Sequence, residues 1–562
     1  MCLSFYCSAS ASDILTWTGH TVKPQPPNVT KVVPTALADC CLPADNQGMR
    51  AHHTHLCFWA FVAAGNLPLV CAAASGNVSQ TLPAVYKVTD FGAKADAKTK
   101  DTSAIQKALD ICSENGGGTV YFPPGTYLTG SLHLKSRVAL YLDHGAVIKA
   151  STEENDFDPY EELGFKNAAD RETSFFHHSL MWAEDVEHVA ILGTGTIDGN
   201  RAKRGGPKPI ALKRCRNVAI KDITIRNAPN YAISLLGTDY VNIDGVSIFN
   251  GYCDGIDPDA CRYVRIANCQ IETWDDAIVP KASFSLGIRR AVEYLTVTNC
   301  ILATNCSAFK LGTESGGGFR HITVSNCVLH SRATGRPPIA GIALESVDGG
   351  DIDGVTISNI SMANVQTPIF LRLGNRGRDM DKPMPGTLRN VCISNIVATG
   401  ANQPCPIVGI PDHSIKNVTL DNIEITCTGG GTMEQTNVQV PEYESKYPEA
   451  TMFGVLPSYG LYCRHVEGLK LRDLRLTLQS PDYRHALLCD DVSRVVIDSF
   501  DAPQSKGAES VIRFRRVKRA LLCNCMPSEE VSDFIEVTDG GMNEVTFVGN
   551  DVRRKEQNGT TR

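Results

Sequence analysis

Short alternations of apolar and polar residues return along most of this chain. The unit reads apolar–x–apolar–x–Asn–apolar–x–apolar. It stands at Val264 with Asn268, Leu295 with Asn299, Ile322 with Asn326, Val355 with Asn359, Val391 with Asn395 and Val418 with Asn422. Looser copies begin at Val189, Val218, Val241, Leu469 and Val495. From Val218 to Val418 the starts are 23, 23, 31, 27, 33, 36 and 27 residues apart. A recurrence in that range marks a solenoid. Alternation with a period of two, rich in Val, Ile and Thr, specifies strands and not helices. An Asn between two strand blocks can take a left-handed turn and bond its own backbone. Stacked coils put like residues above one another, so Asn268, Asn299, Asn326, Asn359 and Asn395 are expected to form a structural ladder. The pattern predicts an all-β chain wound as a right-handed parallel β-helix, with coils about 4.8 Å apart.

The ends depart from the repeat. Ser103 and Gln106 suggest a capping box opening a short N-terminal helix over Ser103–Ser113, placed to cover the first coil's open edge. Gly116-Gly117-Gly118 ends it, and Val120–Tyr127 reads as the first strand and turn. Beyond about residue 428 the repeat loosens, and Gly429-Gly430-Gly431 opens an insertion reaching about Tyr459. Residues 1–48 lack periodicity and read as a non-native or disordered extension. Met49 is a second possible start. Arg50 and three histidines precede an apolar run, Leu56–Ala74, ending in Ala72-Ala73-Ala74-Ser75. That order fits a signal peptide over 49–74, cleaved after about Ala74. Asn66 and Pro68 interrupt the run, which favours this over a transmembrane anchor. The expected layout is then a cap and first coil over 75–135, a β-helical catalytic domain over 136–550 and a charged, disordered tail over 551–562. A cleaved leader predicts a secreted or periplasmic protein with no membrane attachment after cleavage.

Composition adds exclusions. Of 562 residues, 43% are hydrophobic and 20% charged, as in ordinary soluble proteins. A net charge of −7 gives no electrostatic case for a nucleic-acid partner. Of 21 cysteines, six precede the cleavage point and the remaining 15 cannot all pair internally. Cys253 with Cys261, and Cys523 with Cys525, are too isolated for a zinc site. Cysteines recurring at one repeat position point to packed thiols. We expect a monomer without metal or cofactor.

Two segments concentrate acids: Cys253-Asp254-Gly255-Ile256-Asp257-Pro258-Asp259 and Trp274-Asp275-Asp276-Ala277. Asp254 lies 13 positions after Val241, and Asp275 and Asp276 lie 11 and 12 after Val264. Near-equal offsets put them at one place on consecutive coils. Carboxylates that close raise at least one pKa, leaving an acid beside a base. That is the equipment of glycoside hydrolysis. Turn aspartates are usually solvated, and Asp257 and Asp259 are read that way. A calcium site built from the same cluster is an alternative. Adjacent strand residues face opposite sides, so Asp275 and Asp276 can cooperate only at a strand end or bend.

Four motifs extend the picture: Val88-Thr89-Asp90-Phe91-Gly92-Ala93, Gly193-Thr194-Gly195-Thr196-Ile197-Asp198-Gly199, Cys253-Asp254-Gly255-Ile256-Asp257, and Asp275-Asp276 with Lys281. In these the chain, over about 85–425, resembles glycoside hydrolase family 28, the polygalacturonase-like enzymes. The resemblance implies Asp275 as general acid and Asp254 and Asp276 as holders of the attacking water. It also implies inversion of configuration, a wide carboxylate separation and no metal. Two positions depart from the pattern. Asn305-Cys306-Ser307-Ala308 stands where the family has Gly-His-Gly. Ala343-Leu344-Glu345 stands where it has the Arg-Ile-Lys that grips a uronate. An ionised Glu345 would repel a sugar carboxylate.

Other cations could compensate. Lys281, Lys310, Arg372 and Arg376 are candidate substrate contacts beside Glu345, with Glu314 and Arg378 weaker ones. Arginine suits bidentate carboxylate binding. The bland reading is a solvated loop, or a Lys310–Glu345 ion pair. His177, His178 and Trp182 could line a sugar cleft or pack. Three functions follow: an inverting hydrolase of a pectic or related acidic polysaccharide, a calcium-dependent polysaccharide lyase, or a non-catalytic carbohydrate-binding β-helix.

Overall fold

The computed structural model describes residues 84–527 and 531–551. The proposed extension and signal peptide, and nearly all of the charged tail, lie outside them. Within the unit Ser79–Arg562, the described chain is a parallel β-helix. A typical coil has three strands, such as Asp239–Asp244, Ser247–Gly251 and Ile256–Asp259. The first two pair in parallel with their counterparts one coil on, and the third with its counterpart one coil back. The repeat read from the sequence is the first two strands of each coil. Val218, Val241 and Val264 are register partners, and Val264, Leu295, Ile322, Val355, Val391 and Val418 continue the column. All are buried, and together they line the inside of the coil. Polar positions between them face outward, which is why the period of two survives in every copy.

The Asn ladder forms except at one step, where Asn326 Nδ2 donates to Thr298 Oγ1 at 3.5 Å and not to Asn299. Asn268, Asn299, Asn326, Asn359, Asn395 and Asn422 all have φ between +51° and +57°. Asn359 Nδ2 donates to Asn326 Oδ1 at 2.9 Å, Asn395 to Asn359 at 2.9 Å and Asn422 to Asn395 at 2.9 Å. Asn is the residue that tolerates this turn and extends a side-chain bond to the next coil. From Phe319 to Asp501 the two strands run through the turn as one long strand, such as Phe319–Ser331 and Ile352–Ala363.

A helix, Thr102–Glu114, covers the first coil with Ile105, Ala108, Leu109 and Cys112 fully buried. The expected Ser103–Gln106 capping box does not form. The N-cap is Asp101, without a side-chain cap. Its carboxylate instead accepts the Lys94 and Ala95 amides at 2.7 and 3.0 Å. Gln106 reaches Asp110 and the His133 carbonyl. The cysteines among the described residues are free thiols, and Cys269, Cys300 and Cys327 stack in one buried column, each donating to a carbonyl two residues back. No helix among the described residues is long and apolar enough to cross a membrane.

Candidate active site

The third strand of each coil builds one sheet. Leu132–His133, Ser179–Glu184, Lys208–Lys213, Ile233–Leu236 and Ile256–Asp259 lie side by side in that order. Beyond Ile256–Asp259 the pairing thins to the single bridges Ile256↔Ile278, Asp259↔Lys281 and Ile278↔Phe309. It resumes at Ser307–Leu311, Ala340–Ser346 and Thr367–Leu373. The acids sit at this thinned coil. Asp254 and Asp276 each lie two residues before a bridged isoleucine, so they share a register position on consecutive coils. The Gly255 amide donates to the Asp276 carbonyl at 2.9 Å.

Asp275 and Asp276 fall in a bend just past the strand Gln270–Thr273, as their cooperation requires. Thr273 Oγ1 donates to the Asp275 carbonyl at 2.7 Å, Thr304 Oγ1 donates to the same oxygen, and the Asp276 amide donates to Asp275 Oδ1 at 3.0 Å. Carboxylate oxygens of Asp254 and Asp275 lie within 4.8 Å of one another, and so do those of Asp275 and Asp276. These nearest-atom separations are tighter than the roughly 6.5–9.5 Å between carboxyls of inverting enzymes. Thiols fill the flanks: Cys253 lies within the same 4.8 Å of the Asp254–Asp275 oxygens, and Cys306 of the Asp275–Asp276 oxygens.

Each acid has its own cation. Lys281 Nζ donates to Asp254 Oδ2 at 2.7 Å and also to Asp257, beneath the Tyr231 ring at 4.1 Å. Lys310 Nζ donates to Asp276 Oδ2 at 3.1 Å, and the Ser307 amide to Asp276 Oδ1 at 2.8 Å. Arg204 Nη1 donates to Asp275 Oδ2 at 2.6 Å, and its Nη2 lies 3.3 Å from Glu172. Asp254 and Asp276 are about 5% exposed or less, whereas the Asp275 side chain keeps 28% of its surface open.

These surroundings split the carboxyls. Burial drives Asp254 well above the usual range, against the pull of Lys281. Burial also pushes Asp257 up to about 7. One lysine cannot neutralise both, so a proton stays with that pair. Burial raises Asp275 too, but Arg204 and then Lys310 outweigh it and hold it below the usual range. In the unliganded site the residue expected to be the acid is therefore the ionised one.

Other sequence expectations change. Asp257 and Asp259, read as solvated turn residues, are buried strand residues at 1% and 3% exposure. Asp259 accepts the Ser283 amide at 2.8 Å, and burial brings it up to about 6. Lys310 pairs with Asp276 and not with Glu345. Arg372 is the register partner of Glu345, yet its guanidinium points at backbone. It donates to the carbonyls of Gly409, Glu442 and Tyr443 at 3.0, 2.8 and 3.0 Å, pinning the 429–459 insertion. Arg376 is bound to Asp348 at 2.9 and 2.6 Å and to the Thr313 carbonyl at 2.9 Å. Arg378 pairs with Glu314 at 2.5 Å. None of these three arginines contacts an acid of the cluster. Trp182 lies between the rings of His177 at 4.0 Å and His133 at 4.7 Å. It shares a column with Ala211, Ser234 and Asp257, three coils or about 14 Å from the cluster. His178 packs on Tyr160 at 4.5 Å.

Three residues at the site carry no sequence signal of their own. Arg204 comes from a loop after the Gly193–Gly199 motif. Lys208 is buried against the Phe176 ring at 3.8 Å, and burial lowers it to about 7. Tyr447 comes from the insertion, its ring 5.9 Å from Lys310 Nζ. Only the fold brings these to the acids.

The sequence profile described as "Glycosyl hydrolases family 28" matches residues 162–446, which include every acid of the cluster. The chain belongs to glycosyl hydrolase family 28. A "Probable polygalacturonase" of Vitis vinifera is 26% identical over 371 residues, covering 60% of this chain and 73% of that protein. Among solved structures, a hyperthermoactive exopolygalacturonase from Thermotoga maritima superposes with a TM-score of 0.53 at 23% identity. It covers 61% of this chain and 88% of its own. A family 28 exopolygalacturonase of Yersinia enterocolitica gives 0.57 at 19%, covering 75% and 79%. At these identities the structures speak to the fold, and the family 28 profile carries the enzyme class: this is a glycoside hydrolase.

Proposed function

We propose that this chain hydrolyses glycosidic bonds within a pectic polysaccharide, in the manner of a polygalacturonase. The observation that carries the reading is the cluster itself. Asp254 and Asp276 hold one register position on consecutive coils, with Asp275 beside both, in a family 28 chain. The name of the Vitis vinifera relative, a probable polygalacturonase, supports a pectic substrate. In the proposed reaction Asp275 first takes up a proton from solvent and then gives it to the glycosidic oxygen as the anomeric C–O bond breaks. Water held by Asp254 and Asp276 attacks the anomeric carbon and loses a proton to that pair. Lys281 and Lys310 keep the two carboxylates oriented toward the water. No step needs a metal.

The test is a panel of purified pectic, neutral and sulfated polysaccharides with mass analysis of products. Hydrolysis predicts fragments that have gained water, from pectic substrates. Fragments that absorb in the ultraviolet as unsaturated uronates, lost on chelation, would instead assign a lyase. Binding without turnover would assign a carbohydrate-binding β-helix. We further propose export directed by residues 49–74, and action as a monomer without nucleic-acid or membrane partners. N-terminal sequencing of the exported protein checks the first point, and a start near Ser75 is expected.

A further inference from the structure

Glu345 stands where an ionised acid would oppose an acidic sugar. It is 1% exposed, and its Oε2 has no hydrogen-bond partner. The charges acting on it are Lys310, Asp276, Arg376 and Glu449. Lys310 is bound to Asp276, and Arg376 to Asp348. Arg372, its neighbour in the sheet, is bound to three carbonyls. Every cation named around Glu345 thus already has a partner of its own. Burial pushes Glu345 up to about 8, so at neutral pH it is mostly an uncharged acid. Lys310 and Asp276 cancel, and the group carries no net positive charge in either state of Glu345.

Above this group sits Tyr447. Its ring lies 5.9 Å from Lys310 Nζ and 5.8 Å from Arg376 Cζ, and about half of its surface is open. The insertion that carries it is fixed. Arg372 and Arg464 hold the carbonyls of Val440, Pro441, Glu442 and Tyr443, and His465 holds the Glu442 carboxylate at 3.2 Å. An exposed aromatic on a fixed loop, next to the acids, is a platform for an apolar sugar face. A uronate placed on this group would add a negative charge beside Asp276, while Lys310, Arg372 and Arg376 are already bound, Arg336 is held at the Asn305 carbonyl and Cys306, and Lys446 faces the Tyr443 ring.

We propose that Tyr447, over the Lys310–Asp276–Glu345 group, forms a subsite that selects an uncharged sugar, such as a methyl-esterified uronate, on one side of the scissile bond. Tyr447 is the contact. Glu345 is a positioning residue that acts through Lys310. This inference rests on the pectic-hydrolase reading above.

The test uses the full-length protein and oligogalacturonides with a random, intermediate degree of methyl esterification. Mass sequencing of the products reports which sugars flanked each cut. Esterified residues are expected at least tenfold more often than free acids on one constant side of the cut. Glu345→Arg should reduce that preference at least tenfold or reverse it. Tyr447→Ala should raise KM severalfold with a smaller change in kcat. The flank ratio is independent of how much variant protein has folded. Equal use of acid and ester on both sides, or an unchanged ratio in Glu345→Arg, overturns the subsite while leaving the hydrolase reading standing. Cleavage of no oligogalacturonide removes the hydrolase reading and this inference with it.

Discussion

At the residue scale the site turns on how three carboxyls share few protons and few cations. Arg204 is the residue that sets Asp275 apart. A general acid is active only while protonated, so its activity falls as pH rises through its pKa. Arg204 and Lys310 lower that pKa, and burial raises it. Removing Arg204 leaves burial less opposed. The alkaline limb of the pH profile of kcat/KM, which reports the free enzyme, should move to higher pH in Arg204→Ala. A limb that stays or moves downward would show that Arg204 does not govern the acid. Lys281 serves Asp254 and Asp257 together. Lys281→Met leaves both acids buried without their cation, and loss of a buried ionic partner costs about 3–5 kcal/mol. Denaturant titration should show a loss of that order together with loss of turnover. The identity of the three acids was legible from offsets within the repeat, because register transmits a sequence position to a place in space. Their charge partners were not. Arg204 and Tyr447 lie 50 and more residues from Asp254 in loops with no period, and Arg372 and Arg376, expected to contact substrate, turn to backbone and to Asp348.

At the scale of elements, the coil is specified twice over, by the inward apolar column and by the Asn turn. The turn is the more exacting of the two. At Asn359, φ is +57° and the side chain bonds forward and back along the ladder. Asn359→Ala loses those bonds and places a residue with a Cβ in the left-handed region. The left-handed conformation costs an ordinary residue roughly 1–2 kcal/mol, and each lost hydrogen bond about 1 kcal/mol. Chemical denaturation should therefore show a larger loss for Asn359→Ala than for Asn359→Gly, which restores the conformation but not the bonds. Equal losses would mean that the turn carries no strain. The strands and the ladder were readable in advance because both repeat. The capping box was not a reliable guide at the N-terminal helix, since Asp101 and Gln106 found better partners in the neighbouring loop and coil. Asp257 and Asp259 were misread for a related reason. A local Asp-Gly signal reads as a turn, but the coil register draws the following residues into a strand, where Lys281 and Ser283 meet them.

At the scale of the whole molecule, a solenoid transmits stability between neighbouring coils, so its ends matter more than their size suggests. The helix Thr102–Glu114 closes one end with Leu109 fully buried. Leu109→Ala should cost about 2–5 kcal/mol. Hydrogen exchange should rise in the strands Gly118–Phe122 and Val138–Leu142 and stay unchanged in Ser458–Leu478. A uniform rise along the chain would mean that the β-helix opens as one unit. The same architecture places function. The site forms where the third sheet thins to single bridges, and the long insertion returns from several coils away to roof it. The fold class was plain from periodicity, whereas the roof was not, because an aperiodic insertion carries no register.

The central claim is tested most directly by reducing-end release from a pectic oligosaccharide by the wild type and by Asp275→Asn, which keeps the shape and removes the proton. Release by the wild type and loss of at least a thousandfold in kcat for the variant are predicted. Full activity in Asp275→Asn would contradict the assignment of the cluster.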